Sequence, residues 1–349
     1  MDIFYRIECL SKLGFDLTIH VFEYGRGKQK ELEKFGKVFY YKRNFSFWLH
    51  FSKTPFIVLS RKNRSLLENL LSDSAPILFE GIHTTYFLGH PKLHNRQKFV
   101  RAHNVEHEYY QQLGRHTHSF FKRVFFYLES LKLRFYEQNL KFATTILAIK
   151  SKDIDHFKQI NSNVKLLPAS ISKELPEFHE TKNFALFHGN LSVVENENAI
   201  YKIHQIIKSN LSKDFQFIVA GKNPTQNLTR YCAEQRIILF QNPSMEEMNN
   251  LIFDARIHLF QTDFDSGVKL KLLKSINSCA HILTTHHLIF DSKISEFCHV
   301  ANDENEFKSK FNQLKSISLT FNELKSRKEF LSAYFLQEEE ILSNLSNTN

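Results

Sequence analysis

The stretch DSGVKLKLLKSI, residues 265–276, places Lys269, Lys271 and Lys274 among apolar residues directly after Ser266 and Gly267. Ammonium groups beside the free backbone N–H groups of a helix start are chemistry for holding an anion, a phosphate above all. The plainer alternative is the solvated face of an ordinary amphipathic helix. Geometry limits the first reading: on a helix Lys269 and Lys271 point roughly 200° apart, whereas Lys271 and Lys274 share a face. At most part of the trio touches one ligand. Three other turns could serve the same anion. FHGNLSVVENENAI puts Gly189 and Asn190 just after an apolar run, where a residue without Cβ lets a ligand approach the backbone. IVAGKNP repeats the arrangement at Gly221 and Lys222, and LFQNPS does so at Asn242, with Ser244 as a helix N-cap.

A second group has acid–base and hydrogen-bonding character. RAHNVEHEYY follows the run KFV, so Arg101, His103, Asn104 and Glu106 collect at one strand exit. LFEGIHTTY brings Glu80 and His83 to the exit one strand earlier. Open α/β domains bind ligands at such carboxyl ends. The structural alternative makes Asn104 the N-cap of a helix reaching Leu113 and leaves His107 exposed.

The elements that position these residues follow from periodicity and punctuation. Short β-branched or aromatic runs alternate with helical stretches along the chain, the pattern of parallel sheets wrapped by helices. The first half gives strands at DLTIHVF, KVFYY, APILFEG, KFVRAHN, TTILAI and NVKLLP, with helices over 61–71 and 119–141. The second gives NFALFHGN, FQFIVAG, RIILFQN, RIHLF and HILTT. Between them, the prolines and mixed polarity of PASISKELPEFHETKN read as a linker. The expected division is a first Rossmann-like domain over 1–168, a linker over 169–182, a second domain over 183–320 and a helical tail over 321–349. The chain opens on a helix over 2–13 with no strand before it, although the first strand of a doubly wound sheet is central.

Composition narrows the class. A chain of 349 residues suits two domains, and 42% hydrophobic with 24% charged residues describes a folded globular protein. No apolar run approaches the roughly 20 residues that a membrane helix needs. The opening residues lack the layout of a signal peptide, so the expected location is cytoplasmic. Cys9, Cys232, Cys279 and Cys298 show neither CxxC spacing nor a disulfide framework, and no metal is expected. A net charge of +9 favours an anionic partner: nucleic acid, an acidic lipid surface or a phosphorylated small molecule. Signatures of nucleic-acid modules are missing, which ranks nucleic acid lowest.

Taken in order, RAHNVEHEYY, FHGNLSVVENENAI, IVAGK and GVKLKLL resemble the glycosyltransferases of the family 4 type over nearly the whole chain. The resemblance implies a GT-B α/β fold, two Rossmann-like domains facing each other across a cleft, here without the first N-terminal strand and its glycine loop. It implies a nucleotide-sugar donor on the second domain, a glycan or lipid-linked acceptor on the first, and retaining transfer without metal or cofactor, with cations and helix-terminal amides stabilising the leaving diphosphate. By position, Gly189 and Asn190 lie where the donor phosphates approach, Gly221 lines the same edge, and Gly267, Lys269 and Lys271 match the phosphate-binding helix start, with Ser266 beside them on the donor side. Asn242 falls where the base is contacted. His103 matches a histidine near the reacting sugar, with Glu80, His83, Arg101, Asn104 and Glu106 on the acceptor side. One departure concerns two glutamates separated by seven residues in many members. Their positions fall here at Ser266 and Lys274, and an ammonium cannot accept the hydrogen bonds that a carboxylate takes from ribose hydroxyls. A truncated, non-catalytic binding or scaffold protein of the same fold is the competing expectation.

The segment HSFFKRVFFYLESLKLRFYEQNLKF carries Phe121, Phe125, Leu128, Leu131 and Phe135 at helical spacing among many cations. Two readings stand: a helix covering the first sheet with snorkelling lysines, or peripheral contact with an anionic membrane on its inner face.

Overall fold

Strands buried on both faces must be apolar along their whole length, and the runs read above have that character. The computed structural model describes residues 2–23, 28–117, 119–171, 178–262, 270–289 and 292–344. The chain forms two compact units. The first comprises Met1–Ser170 with the chain from Leu336 on, and the second most of the chain between.

In the first unit, helix α1 (Asp2–Lys12) leads into a two-stranded parallel sheet of β1 (Leu17–Phe22) and β2 (Gly36–Tyr41). Short helices α2 (Phe56–Leu59) and α3 (Arg64–Leu70) follow, the latter capped by Asn63, whose side chain accepts the Leu66 N–H at 3.2 Å. A four-stranded parallel sheet is then built from β3 (Ile77–Glu80) and β4 (Lys98–Ala102), helices α4 (Glu106–His116) and α5 (Phe120–Tyr136), then β5 (Thr145–Ala148), α6 (Ile154–Lys158) and β6 (Val164–Leu166). Alternation divides its core. Phe79, Val100 and Ile146 pack on one face with Leu133 and Leu140, while Phe99 and Leu147 pack on the other with Cys9, Leu10 and Leu342. Helix α1 therefore covers the second face.

The second unit runs β7 (Lys182–Asn190), α7 (Val194–Ile207), β8 (Gln216–Lys222), α8 (Gln226–Glu234), β9 (Ile238–Gln241), α9 (Met245–Asp254), β10 (Ala255–Leu259) and α10 (Leu270–Ile276). It continues with β11 (His281–Thr285), α11 (Ser292–Ser295), β12 (His299–Ala301), α12 (Glu304–Leu314) and α13 (Phe321–Ser343), whose residues from Leu336 on belong to the first unit. Strand order is β12-β11-β10-β7-β8-β9, all parallel. Counted within the unit this is the doubly wound order 3-2-1-4-5-6, whose connections reverse direction between β7 and β10. Local signals agree with the ends of its helices. Ser244 caps α9 in a reciprocal capping box with Glu247, and Thr225 and Asp303 cap α8 and α12. Strand β12 and its adjacent helix extend the sheet beyond the strands expected from sequence.

The C-terminal segment is one helix, α13. The Arg327 guanidinium on it is buried and donates to the carbonyls of Ser278 (3.1 Å), Ala280 (2.8 Å) and Phe297 (3.2 Å). All four cysteines are free thiols, three of them buried.

Candidate functional site

In a doubly wound sheet the ligand crevice lies outside the carboxyl ends of the strands at the switch point, here β7 and β10. Strand β7 ends on Phe187, His188, Gly189 and Asn190, and β10 runs out at Leu259 into Phe260. Lys271, the second residue of α10, points back to this place. Its Nζ lies 3.2 Å from Asn196 Oδ1, 4.9 Å from the Phe187 ring centre and 5.1 Å from that of Phe260. Two aromatic faces and an amide hold the ammonium in a low-dielectric setting, where its attraction for an anion is strengthened. Asn196 in turn donates to the Asn190 carbonyl at 2.9 Å. A Cβ at Gly189 would meet the same Asn196 amide at 3.3 Å. Gly189, Asn190 and Lys271 are thus gathered by one residue, Asn196, that sequence reasoning did not single out.

Gly221 faces Gly189 in the β7–β8 register. A Cβ there would come within 1.9 Å of the Gly189 carbonyl oxygen, so this glycine is required by strand approach. Asn242 sits after β9 at φ +51°, a conformation asparagine tolerates. Its N–H donates to the Gly221 carbonyl and its Oδ1 accepts the Asn223 N–H, both at 2.8 Å. Ser266, Gly267 and Lys269 lie outside the described residues.

Beneath Lys271 the sequence conceals a second feature. His188 is buried, 3.3 Å from Ser275 Oγ, and its ring meets His258 edge-on at 5.4 Å. Burial holds both imidazoles neutral, His258 down at about 3 and His188 well below its ordinary value. Lys274, on the same face as Lys271, is pushed by burial to about 8. The position where the resemblance expects a carboxylate thus carries a half-buried, weakened ammonium. A histidine immediately before Gly-Asn in an otherwise apolar strand was the available signal.

In the first unit the residues at the ends of β3 and β4 do converge, but they divide by burial. Arg101 is fully buried and pairs with Asp2 (2.8 Å) and Glu80 (3.1 Å). Arg6, equally buried, lies 3.8 Å from Glu80 and 3.3 Å from Glu338. Arg101 thus serves to position Glu80 and to fasten α1 to the sheet. Burial alone would raise the Glu80 carboxyl, yet Arg101, a hydrogen bond with His103 and Arg6 hold it at about 2. Its Oε2 is 3.0 Å from His103 Nε2, which orients that half-buried imidazole. His83 stacks edge-on to His103 at 6.2 Å and is held neutral by burial, down at about 3.

The helix after β4 corrects the expected cap: Val105 occupies the N-cap of α4 without a side-chain bond, and Asn104 lies outside the helix. Asn104 Oδ1 is buried and lacks a hydrogen-bond partner among the described residues. Beside it, burial raises the Glu106 carboxyl to about 7, a value at which it can both give and take a proton near neutrality. His107 is not exposed. Its Nδ1 lies 2.8 Å from Glu137 Oε2, and His156 Nε2 lies 3.2 Å from the same oxygen. This His–Glu–His junction ties α4, the end of α5 and α6 together.

No family model matches the chain. A curated relative from Klebsiella pneumoniae, described as an uncharacterized 44.6 kDa protein in the cps region, is 26% identical over 309 residues, covering 82% of this chain and 78% of that one. Among solved structures, HepE of Anabaena in complex with UDP and glucose superimposes with a TM-score of 0.67 at 10% identity, over 99% of this chain and 96% of its own. A glycosyltransferase from Rickettsia africae gives 0.64 at 12% identity, over 99% and 95%. TarM gives 0.58 at 12% identity over 81% of this chain, which spans 57% of TarM's length. The fold is that of the GT-B glycosyltransferases.

Proposed function

We propose, with the GT-B fold as premise, that this protein transfers a sugar from a nucleotide-sugar donor held by the second unit to a glycan or lipid-linked acceptor met by the first. The observation that carries the reading is the convergence of Gly189, Asn190 and Lys271 through Asn196 at the β7/β10 switch point. An ammonium braced by two aromatic faces beside the Gly189–Asn190 strand end suits a leaving diphosphate, whose charge grows as the sugar departs. Fixed cations supply that stabilisation without metal or cofactor in this reading, with configuration retained. On the acceptor side, the buried Asn104 Oδ1 offers a hydrogen-bond acceptor to a sugar hydroxyl, and His103, oriented by Glu80, offers a ring N–H or lone pair. HepE's complex with UDP and glucose supports the donor class, and the relative from a cps region supports a setting in polysaccharide biosynthesis.

Titration calorimetry with UDP, GDP and their sugars tests the proposal. Lys271→Ala weakens nucleotide binding on the order of tenfold to a hundredfold, the worth of one charge-assisted hydrogen bond. The exposed Lys222→Ala changes it by less than about threefold. Equal losses refute the placement. A second reading, a non-catalytic binding or scaffold protein of this fold, is favoured by Lys274 at a position expected to carry a carboxylate. Absence of nucleotide binding at millimolar concentration selects it.

A further inference from the structure

Helix α5 is packed with its apolar stripe outward. Phe121, Val124, Leu128, Leu131 and Phe135 recur at alternating three- and four-residue steps, and all five are exposed, Phe121 at 83% and Phe135 at 77%. The inward face carries Glu129 and Ser130 beside Leu133. Those polar groups are satisfied: Glu129 accepts the Phe56 N–H at 2.6 Å and an ion pair from Lys132 at 2.8 Å, and Ser130 donates to the His107 carbonyl at 2.8 Å. The orientation is therefore built in by hydrogen bonds that a reversed helix would lose.

The stripe is extended by the 3₁₀ turn Phe47–Phe51. His50 meets Phe125 edge-on at 5.5 Å, and its carbonyl accepts from Lys132 at 2.6 Å. This turn projects Trp48, 77% exposed, and Phe51, 71% exposed. Apolar side chains of that size rarely stand together in water on a monomer. On the two segments that carry them the exposed charge has one sign. Residues 42–53 hold Lys42, Arg43 and Lys53 with no carboxylate. Helix α5 adds Lys122, Arg123, Lys132 and Arg134, and its single carboxylate, Glu129, is buried and paired.

We infer that this face of the first unit docks on an anionic lipid surface, with Trp48, Phe51, Phe121 and Phe135 entering the headgroup boundary and the lysines and arginines meeting lipid phosphates. Apolar stripe, aromatic rim and all-cationic flanks together are the layout of an interfacial helix. A second copy of the chain suits the face poorly. In a heptad frame with Phe121, Leu128 and Phe135 at position a, Lys132 and Arg134 fall at the flanking e and g positions, so two copies would oppose like charges. The stripe also covers only about two heptads, short of the three or four that sustain a coiled coil. The inference stands on the first unit alone and holds whether or not the second binds nucleotide; combined with the reading above, it places the acceptor in the bilayer surface.

Trp48 is the only tryptophan in the chain, so its emission reads the docking face directly. The test uses the full chain, without nucleotide, against vesicles of phosphatidylcholine alone and of phosphatidylcholine mixed with phosphatidylglycerol, by flotation and by tryptophan emission. The expected result is flotation and a blue shift with the anionic vesicles only, reduced by added salt. Phe121→Ala or Phe135→Ala lowers the partition coefficient on the order of tenfold each, and the pair Lys122→Glu with Arg123→Glu by at least as much. Both positions of each pair are exposed, so circular dichroism of the variants matches the parent. The inference is overturned if the parent neither floats nor shifts its emission at low salt, or if the variants bind as the parent does. It is equally overturned if sedimentation shows a lipid-free dimer that Phe121→Ala dissolves while vesicles leave the emission unchanged.

Discussion

Gly189 and Gly221 lie opposite each other on neighbouring strands, yet a methyl group added to each should have opposite consequences. At Gly221 the new Cβ would sit 1.9 Å from the Gly189 carbonyl oxygen and 2.8 Å from Leu191 Cγ. Relief requires β7 and β8 to part by well over an ångström, because the obstructing atom is backbone. Strand β8 is paired on both sides, so the movement also strains the Leu191 N–H bond to the Lys222 carbonyl and the Asn242 N–H bond to the Gly221 carbonyl, each 2.8 Å. Overpacking at about 1–3 kcal/mol and the two hydrogen bonds at about 1 kcal/mol each give a cost of roughly 3–5 kcal/mol for Gly221→Ala. For a unit of this size that is a fall in melting temperature on the order of 10 °C. At Gly189 the nearest atom is the Asn196 amide nitrogen at 3.3 Å, the tip of a side chain that can yield by a few tenths of an ångström. Gly189→Ala should melt within about 1 kcal/mol of the parent, since a strand glycine replaced by alanine also loses unfolded-state entropy. If donor phosphates approach the backbone there, the same folded variant loses nucleotide affinity. Calorimetric melting of both variants, with nucleotide titration of Gly189→Ala, checks the reasoning. A Gly221→Ala protein melting within 2 °C or so of the parent refutes it.

Two further predictions concern protons. Burial raises Glu106 to about 7 from an ordinary 4.5, so the folded state holds this proton more tightly than the unfolded state, and the stability it lends at low pH is lost as pH rises through that interval. Glu106→Gln therefore gains on the parent by roughly 3 kcal/mol above pH 7 and by nothing near pH 4.5, read by urea unfolding at both ends; a constant gap rejects the assignment. At the other cluster, burial raises Glu137 but hydrogen bonds from His107 and His156 lower it overall, while His156 is raised chiefly by its bond to Glu137. The Glu137 contribution is present above the ordinary carboxylate range and fails as pH falls through its depressed value; the His156 contribution is full below the ordinary imidazole range and fails as pH rises through its elevated one. Hydrogen exchange of α6 should be slowest between those limits, and Glu137→Gln should flatten the profile.

Most strands of the four- and six-stranded sheets were legible because burial on two faces leaves little choice of residue: ILFE, KFVRA, ALFHGN and FIVAG are near-continuous apolar runs. Strand β12 was not, because its three residues His299–Ala301 are too few to show a period. The switch-point site was half legible. Glycines and lysines at βα turns mark a sheet edge, but Asn196 lies six residues past Asn190 on a helix face, and only folding shows that it joins Gly189 to Lys271. The buried pairing of Arg101 with Asp2 spans 99 residues. No local pattern reports that Arg101 faces α1 while its neighbours Val100 and Ala102 face the opposite core.

Helix α5 shows why periodicity alone stops short of function. Its stripe states that one side of the helix is apolar and says nothing of what that side meets. The answer depends on how much sheet is left uncovered. One face of the four-stranded sheet is closed by Cys9 and Leu10 of α1 with Leu342, and the other by a core to which α5 contributes Leu133 and the partly buried Tyr136. Once those places are filled, Phe121, Leu128 and Phe135 have no interior to enter. The hydrogen bonds of Glu129 and Ser130 fix the helix in the rotation that leaves them outside. An apolar stripe that the described residues leave uncovered suits a partner, and the cations beside it suit an anionic one, which is the ground of the inference drawn above.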